Sequence, residues 1–88
     1  MIEAELRLRV TVTDAWDTVT VTVPPDTSIA ALKSEALSRA LGPYADPSAY
    51  VVKSRGALVL DERMAVAGLD LVDGAPLVVV PSRRRPVR

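Results

Sequence analysis

The sequence is short, electrically balanced and free of two residue types on which much enzyme chemistry depends. Its 88 residues suffice for one small domain, and no stretch approaches the roughly 20 apolar residues of a membrane span. Cys and His are absent, which excludes disulfides, thiolate metal sites, cysteine nucleophiles and imidazole bases. We therefore expect a soluble, cytoplasmic domain that is not an enzyme and needs no cofactor or metal, since the first residues also lack a secretory leader pattern.

The charges balance overall but are unevenly distributed. Eleven basic residues match eleven acidic ones, yet four of the basic residues follow Pro81. These four are Arg83, Arg84, Arg85 and Arg88. We predict a domain over residues 1–81 and a flexible basic tail over residues 82–88. An acidic body offers no footprint for nucleic acid, whereas an arginine cluster is suited to phosphate or acidic surfaces.

Two alternating segments near the start predict an antiparallel β-hairpin. Residues 6–13 alternate apolar and polar side chains, and residues 19–23 alternate again with β-branched residues throughout. Pro24 ends the second strand because proline cannot donate to a ladder. Trp16 lies in the loop between the strands. It is either an exposed binding anchor or a lid over one end of the core, and we favour the lid.

The segment after the hairpin predicts one amphipathic helix. Ser28 and its two predecessors offer N-cap oxygens before residues 29–41, and Gly42-Pro43 provides a stop signal. Glu35 and Arg39 are spaced to form an ion pair one turn apart. The apolar face at helical spacing consists of Ile29, Leu32, Ala36, Leu37, Ala40 and Leu41.

The rest of the chain predicts a third strand, a short apolar run, a helical turn and a last strand. Residues 50–53 alternate, which turns Tyr50 and Val52 inward and Val51 and Lys53 outward.

Residues 58–60 form the short run, residues 64–69 the helical turn and residues 77–80 the last strand, while Asp73-Gly74 is a turn signal and nothing more. This order predicts an α+β fold of the β-grasp type, in which a mixed four- to five-stranded sheet packs on one α-helix. A crossover then brings the last strand beside the first.

From Leu6 to Val80 the chain resembles ubiquitin and its relatives. The six-residue step from Val23 to Ile29, and the pattern apolar-x-x-apolar-Lys over residues 29–33, both match that family. Leu60-Asp61-Glu62 is similar to the family's Leu-Glu-Asp stretch, with later apolar residues at the family's core spacing: Val66, Leu69, Leu71 and Leu77. The resemblance implies a structural ion pair between Lys33 and Glu62, to be weighed against an ordinary surface pair.

The resemblance also bears on function. Conjugated ubiquitin-like proteins and sulfur carriers act through a C-terminal Gly-Gly, and this sequence contains no such pair. In this respect the chain resembles the bacterial YukD/EsaB-like group, which is associated with type VII secretion. That likeness implies a non-covalent accessory or regulator. Two alternatives stay open: a carrier whose C-terminus is processed, and an accessory whose arginine tail binds acidic or nucleic-acid partners.

We expect the outward face of the sheet to bind a protein partner without a covalent bond or membrane insertion. The candidate residues are Arg7, Arg9, Val51, Lys53, Val78 and Val80. Outward valines beside cations form a shallow apolar patch with a basic rim. Two alternatives remain: these valines simply satisfy β-propensity, or a second copy of the chain covers them as a homodimer. Nucleic acid is disfavoured as the partner.

Overall fold

A computed structural model describes residues 5–69 and 71–82 of the chain. The four arginines of the predicted tail, Arg83, Arg84, Arg85 and Arg88, lie outside the described residues. Ser82, the first residue of the predicted tail, donates its N–H to the carbonyl of Ala49 at 2.8 Å.

One helix packs on a five-stranded mixed sheet, which confirms the predicted fold class. The elements are β1 Leu6–Val12, β2 Asp17–Val23, α1 Ile29–Leu41, β3 Tyr50–Ser54, β4 Ala57–Leu58 and β5 Pro76–Pro81, with short 3₁₀ turns at Pro47–Ala49 and Val66–Leu69. The strand order is β2-β1-β5-β3-β4. The parallel pairing of β1 with β5 is the crossover that economy of burial predicted.

Strand register sorts the side chains cleanly between two faces. Val10 lies opposite Val19 on β2 and beside Leu77 on β5, and all three contribute to the core. Because side chains alternate along a strand, the neighbouring odd-numbered positions of β1 face away from the helix. The core between sheet and helix contains Leu8, Val10, Val12, Val21, Ile29, Leu32, Ala36, Leu37, Val52, Val59, Val66, Ala75, Leu77 and Val79.

The helix begins and ends as its sequence predicts. The Ser28 hydroxyl accepts a hydrogen bond from the N–H of Ala31 at 3.1 Å, and Gly42, at φ 102°, closes the last turn by donating to the Ser38 carbonyl. One predicted member of the apolar face differs: Leu41, the last residue of the helix, is 38% exposed. Lys33, in contrast, is buried among the apolar residues.

The core position in the short apolar run after β3 is Val59, whereas Leu60 is exposed. Val59 is 7% exposed and Leu60 is 87% exposed. The cause is the backbone register: the Val59 N–H donates to the carbonyl of Val52 at 2.8 Å, which sets Val59 beside a core-facing residue of β3.

The expectation that Trp16 covers the core is also wrong. Its side chain is 84% exposed in the turn between β1 and β2, where the backbone adopts φ 49°. Tyr50 packs against the core instead, and its hydroxyl donates to the Asp14 carboxylate in the same turn at 2.8 Å. Tyr50 therefore links this turn to the core.

Candidate functional site

The outward face of β3 and β5 carries three valines side by side. Val51 lies opposite Val80, and Lys53 lies opposite Val78. Directly opposite residues in an antiparallel pair point to the same side with Cβ atoms about 4.5–5.5 Å apart. The intervening Val52 and Val79 are buried, whereas Val51, Val78 and Val80 are half-buried. The three valines form a continuous apolar strip that we call the valine strip.

The β1 residues extend this face with a cation and a hydroxyl. Thr11 lies beside Val78, and Arg9 lies beside Pro76 on the outward side of the sheet. Arg9 and Lys53 are exposed, and within residues 5–69 and 71–82 neither has a carboxylate within ion-pair distance. Two unneutralised cations therefore border the valine strip.

Arg7, another predicted member of the face, has a structural role as well. Its guanidinium lies 2.9 Å from an Asp73 carboxylate oxygen, and its backbone N–H donates to the other oxygen at 2.7 Å. Asp73, which the sequence marked only as a turn residue, thereby ties the turn before β5 to the beginning of β1. The two residues are 66 positions apart in the sequence, so no local sequence pattern predicts this contact.

The β2 half of the same face is polar. Its outward residues are Thr18, Thr20 and Thr22, all exposed. Thr11 and Thr18 share a hydrogen bond between hydroxyl oxygens 2.8 Å apart. The face thus divides into a threonine half on β2 and β1 and a valine half on β5 and β3.

The ion pair implied by the resemblance is present, away from the outward face. Lys33 Nζ lies 2.6 Å from Glu62 Oε1 and donates to the Tyr50 carbonyl at 2.9 Å. The Lys33 side chain is 6% exposed, so the Lys33–Glu62 pair is not an ordinary surface ion pair. It links α1 to the loop after β4 and to the first residue of β3.

Two exposed leucines near the β4 edge were not among the predicted site residues. Leu58 lies opposite Lys53 and therefore joins the outward face, and Leu60 follows it. A groove of about 490 Å³ opens beside them, with Met64 and Leu69 on its other wall. The alternation signal missed this feature because all three residues of the run are apolar, so neither register stood out.

Hydrogen bonds shift the pKa values of two exposed acidic side chains. The pKa of Asp61 is lowered, chiefly because the Arg63 backbone N–H donates to it, and that of Asp46 is lowered by hydrogen bonds from Ser48. No group of three or more acidic side chains among residues 5–69 and 71–82 could hold a metal ion. None of the helices in these ranges has the length and apolarity that crossing a bilayer requires.

Comparison with solved structures places the architecture among ubiquitin-like β-grasp domains. The ubiquitin of Caldiarchaeum subterraneum aligns with a TM-score of 0.76 at 11% identity, covering 94% of this chain and 100% of that one. The ubiquitin-like domain of Plasmodium falciparum Dsk2 gives 0.74 at 18% identity, covering 89% and 99%. A ubiquitin-like domain of an Arabidopsis thaliana protein gives 0.73 at 12% identity, covering 97% and 85%.

These likenesses establish the fold, and the chain has the ubiquitin-like β-grasp architecture. At the level of sequence, no protein-family model matches the chain, and no curated protein matches it either.

Proposed function

We propose that this chain is a non-covalent protein-binding module that uses the outward face of β1, β5 and β3. The observation that carries the proposal is the valine strip, Val51, Val78 and Val80, bordered by two cations that have no carboxylate partner among residues 5–69 and 71–82. Apolar surface beside unneutralised charge is what a protein interface uses for affinity and orientation respectively.

The threonine half of the sheet argues against β-propensity as the sole reason for the valines. Threonine and valine are both β-branched and both favour strands. The chain uses threonine at all three outward positions of β2 and at Thr11 of β1. Strand formation alone would be served by threonine at residues 51, 78 and 80 as well. Valine at these positions adds apolar surface that strand formation does not require.

The charges of this face indicate the chemistry of the partner. No outward position of the five strands in the described chain carries a carboxylate, although the chain has as many acidic as basic residues. A partner surface with apolar side chains flanked by Asp or Glu would match the strip and its two cations. Such binding weakens as salt rises, because exposed charge interactions are screened.

Within this function we propose the finer role of a cytoplasmic accessory in bacterial type VII secretion. Its support is the small size, the ubiquitin-like fold and the resemblance to the YukD/EsaB-like group. The test is affinity purification of the tagged chain from its native host under native and denaturing conditions, with intact-mass measurement. Membrane components of the secretion system that denaturant removes would support the role. A covalent adduct, or a trimmed reactive terminus, would support the processed carrier instead.

The face itself is tested by replacing the three valines of the strip with threonine. Val51→Thr, Val78→Thr and Val80→Thr together keep the β-branched shape but remove three methyl groups, each worth about 0.8 kcal/mol when buried. We expect the partner recovered from the host to bind roughly 50-fold more weakly by calorimetry, since the three groups together contribute about 2.4 kcal/mol and about 1.4 kcal/mol is tenfold in affinity. The matched control is Thr20→Val with Thr22→Val, which should leave affinity unchanged. Equal affinity of the valine variant and the wild type would exclude the strip as the interface.

A further inference from the structure

The β4 edge of the sheet presents backbone groups that are oriented for another strand. The Val59 N–H donates to the Val52 carbonyl, so Val52 and Val59 form a hydrogen-bonded pair. Hydrogen-bonded and non-bonded pairs alternate along an antiparallel ladder, which makes Lys53 and Leu58 a non-bonded pair. The N–H and C=O of Leu58 therefore point away from β3, toward the outer edge.

The opposite edge of the sheet is partly closed. The Arg39 guanidinium, on α1, donates to the carbonyl of Thr20 on β2 at 2.7 Å. A charged side chain over an edge strand is one of the ways in which proteins prevent unwanted strand pairing. In the described chain the two edges therefore differ, and β4 is the more open one.

The surface beside β4 has the apolar character that a docked strand would bury. Leu58 is 45% exposed on the outward side, and Leu60 is 87% exposed. The groove of about 490 Å³ lies against them, walled by the half-buried Met64 and Leu69. An extended segment beside β4 would place alternate side chains on its two sides, one set entering the groove.

We propose that the β4 edge accepts an extended segment of a partner protein as a sixth strand, with alternate apolar side chains in the groove and a carboxylate near Lys53. Lys53 favours a segment that carries a carboxylate, because it lies opposite Leu58 and has no carboxylate partner in the described chain. The inference rests on the proposed function only in that the partner is a protein. The surface differs from the valine strip, and the contact is made by backbone hydrogen bonds.

The test uses a synthetic peptide, acetyl-Glu-Val-Ser-Leu-Ser-Val-Glu-amide, titrated into the isotope-labelled chain and followed by NMR. We expect a saturable downfield shift of the Leu58 amide proton and at least tenfold slower exchange of that proton with solvent. The proposal would be overturned if the Leu58 amide shift does not saturate at millimolar peptide, or if the shifts are confined to the valine strip.

Two variants at one position separate the backbone contact from the side-chain contact. Leu58→Pro removes the outward N–H while leaving the Val59–Val52 bond in place, and proline is tolerated in edge strands whose N–H faces solvent. Leu58→Thr keeps the N–H. We expect at least tenfold weaker peptide binding for Leu58→Pro and a smaller loss for Leu58→Thr. Equal binding by both would contradict strand addition. If Leu58→Pro unfolds, two N-methylated peptides replace the variant. One is methylated at its central Leu and the other at the adjacent Ser. Binding of both at full strength would contradict the proposal.

The remaining outcomes distinguish the occupant and the two surfaces. Sedimentation of the chain alone should show a monomer; a dimer that Leu58→Pro abolishes would assign the edge to a second copy and overturn our proposal. The triple valine-to-threonine variant should bind the peptide as the wild type does. Loss of peptide binding in that variant would mean that the peptide occupies the valine strip and not the edge.

Discussion

Lys33 is a charged side chain enclosed between the helix and the sheet. Its ammonium group contacts the Glu62 carboxylate and the Tyr50 carbonyl, and its side chain is 6% exposed. A buried ammonium group needs such partners, because its desolvation is costly when it lacks them. The pair therefore fixes the position of α1 relative to the loop after β4.

We predict that Glu62→Gln lowers the free energy of unfolding by about 1–3 kcal/mol, since it leaves a buried cation without a carboxylate to balance its charge. Urea denaturation at neutral pH measures this. The matched control is Glu35→Gln, which breaks the exposed pair with Arg39, 48% exposed on each side, and should cost at most about 0.5 kcal/mol. Similar losses in both variants would show that Lys33–Glu62 behaves as a surface pair.

Side chains at some single positions could be assigned from the sequence and others could not. Alternation predicted that Val51 and Lys53 face outward and Val52 inward, because the charged Lys53 marks the outward side of this strand. In residues 58–60 every side chain is apolar, so the sequence pattern does not show which of them face the core. That direction is set by the hydrogen bond between Val59 and Val52, which are not neighbours in sequence.

Among the elements, the turn between β1 and β2 shows where local patterns stop being informative. The sequence indicated both strands, and the structure gives them as Leu6–Val12 and Asp17–Val23. The turn is closed by hydrogen bonds from Ala15 to Val12 and from Trp16 to Thr13, which leaves Trp16 in a left-handed conformation usually taken by Gly or Asn. Trp is a poor choice for that backbone, so neither its conformation nor its exposure could be read from its type.

We predict that Trp16→Gly leaves the free energy of unfolding unchanged or raises it by up to about 1.5 kcal/mol. Relief of the left-handed backbone is worth about 1–2 kcal/mol, against about 0.5–1 kcal/mol for the flexibility of Gly in the unfolded chain. Urea denaturation followed by far-UV circular dichroism measures the change. Tyr44→Gly is the control, because Tyr44 is 96% exposed without a positive φ and should only lose stability. A loss above about 1 kcal/mol for Trp16→Gly would mean that the indole stabilises the turn.

Across the whole molecule, the Tyr50–Asp14 bond joins the hairpin turn to the beginning of β3. The pKa of Tyr50 is raised, first by this hydrogen bond, then by partial burial and by the Asp14 charge. The folded state thus binds the phenolic proton more tightly than the unfolded state does. This contribution to stability is fully present below the ordinary tyrosine pKa of about 10 and is lost as pH rises through the higher folded value.

We predict that Asp14→Asn lowers the pKa of Tyr50 toward its ordinary value and flattens the alkaline loss of stability. The measurement is a titration of tyrosinate absorbance in a Tyr44→Phe background, where Tyr50 is the sole tyrosine. Parallel thermal melts across the alkaline range report stability. An unchanged Tyr50 titration in Asp14→Asn would show that burial, and not the carboxylate, sets the pKa.

The fold as a whole was predictable because its signals are local and mutually consistent. Two alternating segments, a capped helix with one apolar face and a final apolar strand leave few ways to bury every apolar side chain in one core. The groove beside β4 was not predictable, because its walls come from residues 54–69, which lack a single period and meet only through tertiary packing. The valine strip lies between these cases: alternation along residues 50–53 predicted that Val51 faces outward, and the β3–β5 register places Val78 and Val80 on the same side.

The burial of Lys33 also determines which lysine side chain reacts with amine-reactive reagents. The sequence contains two lysines, and the ammonium group of one of them is enclosed between a carboxylate and a carbonyl. Lys53 is thus the one lysine whose side chain acylating labels and cross-linkers can readily reach. Because it borders both the valine strip and the β4 edge, a fluorophore or cross-linker attached to the Lys53 side chain would report on either surface.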